Sequence, residues 1–257
     1  MEVFVLFVAT INVKQPIKAL NFFIKLFSFF IIFVISLRVS AGVIVNSEAY
    51  YAAVVAASER KTIIIDAGHG GEDCGAIGVS GVYEKDLNFS VANTLGEMLT
   101  ENGFAVIYTR TEDKLLYTEE ENIHGIRKIS DLKNRCKIGA EHKSALFVSI
   151  HMNSYQNEKY SGLQVYYGLK DESSESISRV IQKTVKDLLQ NENKRSVKAG
   201  KNMYLLENLE NPAVLIECGF LSNREECEKL SEKEYQKQLC FSILCAIIEY
   251  NKTLSED

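Results

Sequence analysis

From residue 61 onward, short continuous apolar runs alternate with longer stretches in which apolar residues recur every three or four positions. Thr62–Ile65 is a run of apolar or β-branched residues and predicts a buried strand. Across 84–103, Leu87, Val91, Leu95, Met98 and Leu99 fall at helical spacing, and Gly103 is a stop signal. Residues 104–110 predict a second strand, 111–130 a polar loop over the sheet edge, and 131–142 a helix. A third strand covers Ala145 to Ile150, and the alternating segment 161–168 predicts a fourth. An amphipathic helix over 172–192 uses Ile177, Val180, Ile181, Val185 and Leu188. A basic loop, 194–201, precedes another strand-to-turn unit at 212–223. Glu234–Tyr250 predicts a last helix with a broad apolar face, and 252–257 a C-terminal tail. Strands alternating with helices imply an α/β fold with a mostly parallel sheet covered by helices on both faces.

Residues 1–41 have another character. Lys14, Lys18 and Lys25 precede an apolar run from Leu26 to Leu37, followed by Arg38 and the small residues Ser40, Ala41 and Gly42. A positive flank, a short apolar core and small residues make a signal peptide or an uncleaved membrane anchor. The run is shorter than the ~20 residues of a bilayer span, but extends to 21–37 if Lys25 snorkels, which gives a route to membrane attachment. Residues 42–60 read as a connector, and 61–251 as one catalytic domain.

Composition narrows the function. The 257 residues are 46% hydrophobic and 25% charged, ordinary for one globular domain plus an extension. A net charge of −5 argues against a nucleic-acid partner bound by counterion release. Six cysteines form no CxxC pair, so a zinc ribbon is not expected, and Cys218, Cys240 and Cys245 sit in apolar runs like core residues. An exported protein could pair its cysteines, but spacing does not say which.

The chemistry lies where the apolar runs stop. The first strand runs into Asp66-Ala67-Gly68-His69-Gly70-Gly71, and the third ends at His151. In the unit at 212–223 the acid Glu217 ends the run, while Glu84 opens the helix at 84–103. Ligands bind at the carboxyl ends of parallel strands, so these four groups can share one sheet edge. Each has an ordinary reading: a turn histidine, a carboxylate favoured by a helix dipole, a core histidine, a glutamate paired with lysine. Together, two imidazoles and a carboxylate are a zinc set, and a carboxylate off the metal is what a hydrolase needs to take a proton from water. Asn153, two residues past His151, would face the same way and could bind substrate; a turn-stabilising role is equally open. Arg135 reads as an exposed helical arginine, with substrate contact as the alternative.

The segments IIIDAGHGG, Glu84 at a helix start, LFVSIHMNS, SGLQVYY and PAVLIECGFLSN resemble the zinc-dependent N-acetylmuramoyl-L-alanine amidases of the amidase 3 type. The likeness runs from Lys61 to about Tyr250. It implies a single domain with a roughly six-stranded sheet, Zn2+ held by His69, Glu84 and His151, and Glu217 as catalytic acid–base. It implies hydrolysis of the amide joining the muramic lactyl group to L-alanine, on peptidoglycan glycan strands with stem peptides. The compact layout resembles the members that act on spore cortex during sporulation and germination. The expected location is the cell envelope, outside the cytoplasm or between forespore and mother cell. Nothing in the chain identifies an activating protein partner.

Rival readings make their own demands. A serine esterase needs G-x-S-x-G, and Gly78-Val79-Ser80-Gly81-Val82 places its second glycine one position early. No HExxH occurs for a zincin. A non-catalytic glycan-binding module on the same fold would lack one of the four groups. Cys74 and His124 are outside candidates for the metal.

Overall fold

Ile63, Ile64 and Ile65 are all buried, because apolar layers cover both faces of the strand that holds them. That strand is β1 (Thr62–Ala67). The structure, a computed structural model, describes residues 62–123 and 125–256; the expected signal or anchor, the connector and His124 lie outside the described residues. After β1 come α1 (Glu84–Glu101), β2 (Ala105–Tyr108), α2 (Arg127–Glu141), β3 (Leu146–Asn153), β4 (Gln164–Tyr167) and α3 (Ser173–Leu188). Then follow β5 (Lys198–Ala199), α4 (Tyr204–Asn208), β6 (Ala213–Phe220), α5 (Arg224–Ser231) and α6 (Lys233–Glu256).

The six strands form one sheet in the order β2-β1-β3-β6-β4-β5. Every neighbouring pair is parallel except β4 with β6. Strand alternation sorts side chains between two faces. Ile63, Ile65, Val148, Ile150, Val214 and Ile216 point to one, where α1, α3 and α6 pack with Leu95, Ile181 and Ile243. On α1, Leu87, Val91, Leu95 and Leu99 form one stripe at intervals of four, all buried. The opposite face carries Ile64, Phe147 and Leu215 under the thinner cover of α2 and α4.

Several boundaries differ from those the pattern predicts. Helix α2 starts at Arg127 rather than 131, and α6 continues to Glu256, taking in most of the expected tail. The basic loop contains β5, and α4 and α5 are additional short helices. The first two elements are too short to show a period. Helix α5 is started by Asn223, whose side chain accepts from the Glu226 amide.

Arg135 is not on the surface. It is 1% exposed, because α2 lies over the strand ends that carry Asp66 and Ser149 on the face it covers. Its Nη1 donates to Asp66 Oδ1 at 2.5 Å and its Nε to Asp131 Oδ2 at 2.8 Å. Thr109 and Ser149 hydroxyls also donate to Asp66. Burial alone would raise the Asp66 pKa; Arg135 and these hydroxyls outweigh it and hold the carboxyl below the usual range.

Removing Arg135 would leave Asp66 charged and dry, so Arg135→Met should lose about 3–5 kcal/mol in urea unfolding. Asp66→Asn combined with Arg135→Met should recover part of that loss. The depressed pKa also sets a sign. The Asp66 contribution is complete above its unfolded value, near 3.8, and is lost as pH falls through the native one. The double variant should therefore lose less stability than the unaltered protein on acidification.

Candidate active site

At the end of β1 the chain leaves the sheet through His69, which has a left-handed φ of 60°. Three donors hold this turn. Arg135 Nη2 donates to the His69 carbonyl at 2.9 Å, Arg110 Nε to that of Ala67 at 2.9 Å, and Asn88 Nδ2 to that of Gly68 at 3.1 Å. Gly70 must be glycine, since a Cβ there would stand 2.3 Å from the Lys114 carbonyl oxygen. Gly68 lies under the His151 ring, and a Cβ on it would meet Nε2 at 2.2 Å.

The turn brings His69 to Glu84 and His151, whose donor atoms with its own all lie within 4.8 Å of one another. His69 Nε2 is 3.2 Å and His151 Nδ1 3.0 Å from Glu84 Oε1. The same oxygen accepts from the Met152 amide at 3.1 Å, and Oε2 accepts from the Ala76 amide at 2.8 Å. Glu84 therefore bridges its own loop to β3 rather than serving its helix dipole alone. Burial works to raise its pKa, but the bonds from His151 and His69 prevail and hold it far below the carboxylate range. Asp73 Oδ2 stands 2.9 Å from His69 Nδ1 and 2.9 Å from Lys128 Nζ. Burial opposes protonation of His69; the bonds to Asp73 and Glu84 push its pKa up to about 9.

Register supplies the fourth group. His151 pairs with Glu217 across β3 and β6, and Glu217 with Gln164 across β6 and β4. Cross-strand neighbours share a face, so His151, Glu217 and Gln164 stand in a row. Glu217 Oε2 is buried with no hydrogen-bond partner among the described residues. Burial, with smaller opposing effects from the histidines, pushes its pKa up to about 7. This is the state of a carboxyl able to hold and release a proton near neutrality.

Two imidazole nitrogens, a carboxylate oxygen and, beside them, a carboxyl with one buried, unpartnered oxygen fit a divalent cation with a nearby proton acceptor. Asn153 ends β3 half-buried, after a register shift, with its carbonyl accepting from the Leu221 amide. Cys74 is outside the metal-capable group, its thiol donating to the Gly75 carbonyl. Ser80 lies beside Cys227 Sγ at 3.2 Å and makes no hydrogen bond to a histidine among the described residues, which gives no support to an esterase triad. The sequence reading missed Asp66, Asp73 and Gln164. Asp73 had a signal, an acid four residues from His69 inside a glycine-rich turn; Gln164 lay inside the segment SGLQVYY, but only the register puts it beside Glu217.

Comparison with known proteins settles the family. A family model described as N-acetylmuramoyl-L-alanine amidase matches residues 63–249. The chain belongs to this family. The amidase is 37% identical over 190 residues to the germination-specific N-acetylmuramoyl-L-alanine amidase of Bacillus subtilis, covering 74% of this chain and 79% of that protein. It superposes on the CwlD amidase of Clostridioides difficile, solved in complex with the GerS lipoprotein, with a TM-score of 0.72 and 40% identity. That match covers 77% of this chain and 100% of the other. The catalytic domain of CwlV, an amidase from Bacillus (Paenibacillus) polymyxa, matches with a TM-score of 0.62 and 30% identity, over 75% of this chain and 98% of that one. The amidase is thus a peptidoglycan hydrolase of the cell wall or spore cortex.

The packing of Gly68 against His151 makes a prediction that does not depend on turnover. Gly68→Ala should displace the ring and weaken metal affinity by about tenfold or more, with the far-ultraviolet circular dichroism unchanged. Unaltered metal affinity would show that the ring can shift at no cost to the site.

Proposed function

We propose that the amidase holds zinc through His69, Glu84 and His151, and that Glu217 moves the proton in cleavage of the bond between the muramic lactyl group and L-alanine. When bound, zinc supplies Lewis acidity to water and to the amide carbonyl. Glu217 accepts the proton of the attacking water on its unpartnered Oε2 and delivers it to the departing L-alanine nitrogen. The carbonyl–nitrogen bond breaks, leaving a carboxyl on the lactyl group and a free amine on the stem peptide. Asp73 fixes the His69 ring by its bond to Nδ1, and Asn153, two residues past His151 on β3, is a substrate contact.

The observation that carries this reading is the opposite treatment of two neighbouring carboxyls. Glu84 is surrounded by donors and stays ionised, as a ligand should. Glu217 is desolvated, with its pKa raised to about 7, as a proton carrier should be. The likeness to the germination-specific amidase and to CwlD supports spore cortex as the substrate and an envelope location. The lipoprotein bound to CwlD supports a protein partner for this chain as well. Among the described residues no helix is long and apolar enough to cross a membrane; the proposed attachment through 21–37 falls outside them.

Glu217→Gln should lower kcat at least about a hundredfold while bound zinc stays stoichiometric. Near-normal turnover in that variant would reject Glu217 as proton carrier. His69→Ala and His151→Ala should each lose zinc, read by elemental analysis, together with activity. The deciding measurement is mass analysis of peptidoglycan after incubation with the zinc-loaded protein. New L-alanine amines support the reading, and cleavage only at other bonds rejects it.

A further inference from the structure

On the side of Glu217 away from the histidines, Gln164 leads to an arginine with no described role. Gln164 is 2% exposed, and its Oε1 accepts from Arg195 Nη1 at 2.8 Å, while its Nε2 donates to the Ser196 carbonyl. Arg195 Nε donates to the Ser161 carbonyl at 2.8 Å, and its guanidinium lies over the Phe220 ring, 4.3 Å from the centroid. The group is therefore fixed in position and plane. Its second terminal nitrogen, Nη2, has no bond, and no carboxylate forms an ion pair with it among the described residues. Glu226, the nearby acid, interacts with Arg195 at longer range, while its two oxygens accept from the Gly162 and Phe220 amides. A held guanidinium with free N–H groups is a receptor for a carboxylate.

A cleft of about 970 Å³ opens beside Arg195, and Gln164 lines it. Lys159, Lys194 and Lys198 line it too, exposed and without an ion-pair partner among the described residues. Of its acids, Glu225 is paired with Lys229, and Glu226 and Glu192 are outnumbered by Arg195 and the three lysines. The cleft is a positive island on a chain of net charge −5. The other end of the strand-end row offers nothing similar. There Lys85 pairs with Asp113, Lys114 with Glu112, and Arg110 donates to main-chain carbonyls.

The two sides of the scissile amide differ in the same way. The glycan side is built of uncharged acetylated sugars, and the stem peptide carries free carboxylates. We infer that Arg195 binds a stem-peptide carboxylate and that the cleft takes the peptide side of the substrate, which fixes the direction in which a strand lies across the site. This inference rests on the amidase reading above.

The test is calorimetric titration of the full-length, zinc-loaded protein with a stem tetrapeptide, with its carboxylates free or all amidated. The free acid should bind about tenfold or more tightly, and the gap should shrink as salt rises. Arg195→Gln should bring the ratio toward one, and Arg195→Lys should keep part of it. Because Arg195 also packs on Phe220, a second variant, Lys159→Gln with Lys198→Gln, tests the cleft without disturbing that contact and should narrow the gap as well. Equal affinity for the two peptides in the unaltered protein overturns the inference, as does a gap that survives in both variants. Amine release from intact muropeptide is followed in parallel. Release without a preference rejects the carboxylate receptor alone, and a preference without release rejects the amidase reading alone.

Discussion

The buried contact between Asp66 and Arg135 is the constraint on which the site rests. Two ions taken out of water gain little net stability, so the pair is better understood by what it fixes. Asp66 is the next-to-last residue of β1, and Arg135 comes from α2 on the sheet face that carries His151 and Glu217. With one nitrogen on Asp66, the guanidinium turns another to the His69 carbonyl. That bond matters because His69 sits in a left-handed conformation that costs about 1 kcal/mol or more for a residue with a side chain. The strain persists because Arg135, Arg110 and Asn88 together determine where the strand end goes.

Once His69 is placed, the remaining geometry follows from ordinary strand rules. His151 is brought alongside by the parallel pairing of β1 with β3, and Glu217 by that of β3 with β6. Glu84 arrives from another direction, out of the loop and helix after β1, and the Ala76 and Met152 amides hold it to both neighbours. The proposed ligand and the proposed proton carrier are the same residue type, near enough for the charge of Glu84 to act on Glu217. Their environments, rather than their chemistry, separate the roles.

The parts of this arrangement that were legible in the sequence are those written in runs. Apolar stretches ending at His69, His151 and Glu217 announce buried parallel strands whose ends gather polar groups, and the Leu87–Leu99 stripe announces α1. Arg135 was misread because a helix with few apolar residues looks solvent-exposed, and α2 covers a sheet face whose upper part is polar. The partner of Arg135, Asp66, is 69 residues away in sequence. The direction of β4 was also hidden, since alternation reports which side chains share a face but not which way the strand runs. Asn223 with Glu226 at the start of α5 was a readable cap signal, masked by its position directly after a strand-end motif.

The antiparallel entry of β4 has a functional consequence. It places the beginning of that strand, Gln164, beside the end of β6, so the loops before β4 and before β5 gather at the same edge as the turn that carries His69. A parallel β4 would have put its far end there and carried Ser161 and Arg195 to the opposite edge of the sheet. A one-residue slip between β4 and β6 would be as damaging, because it would turn Gln164 to the other face. The proposed proton carrier and carboxylate receptor are therefore linked through one ladder. The direction and register that align His151, Glu217 and Gln164 also set Arg195 beside them.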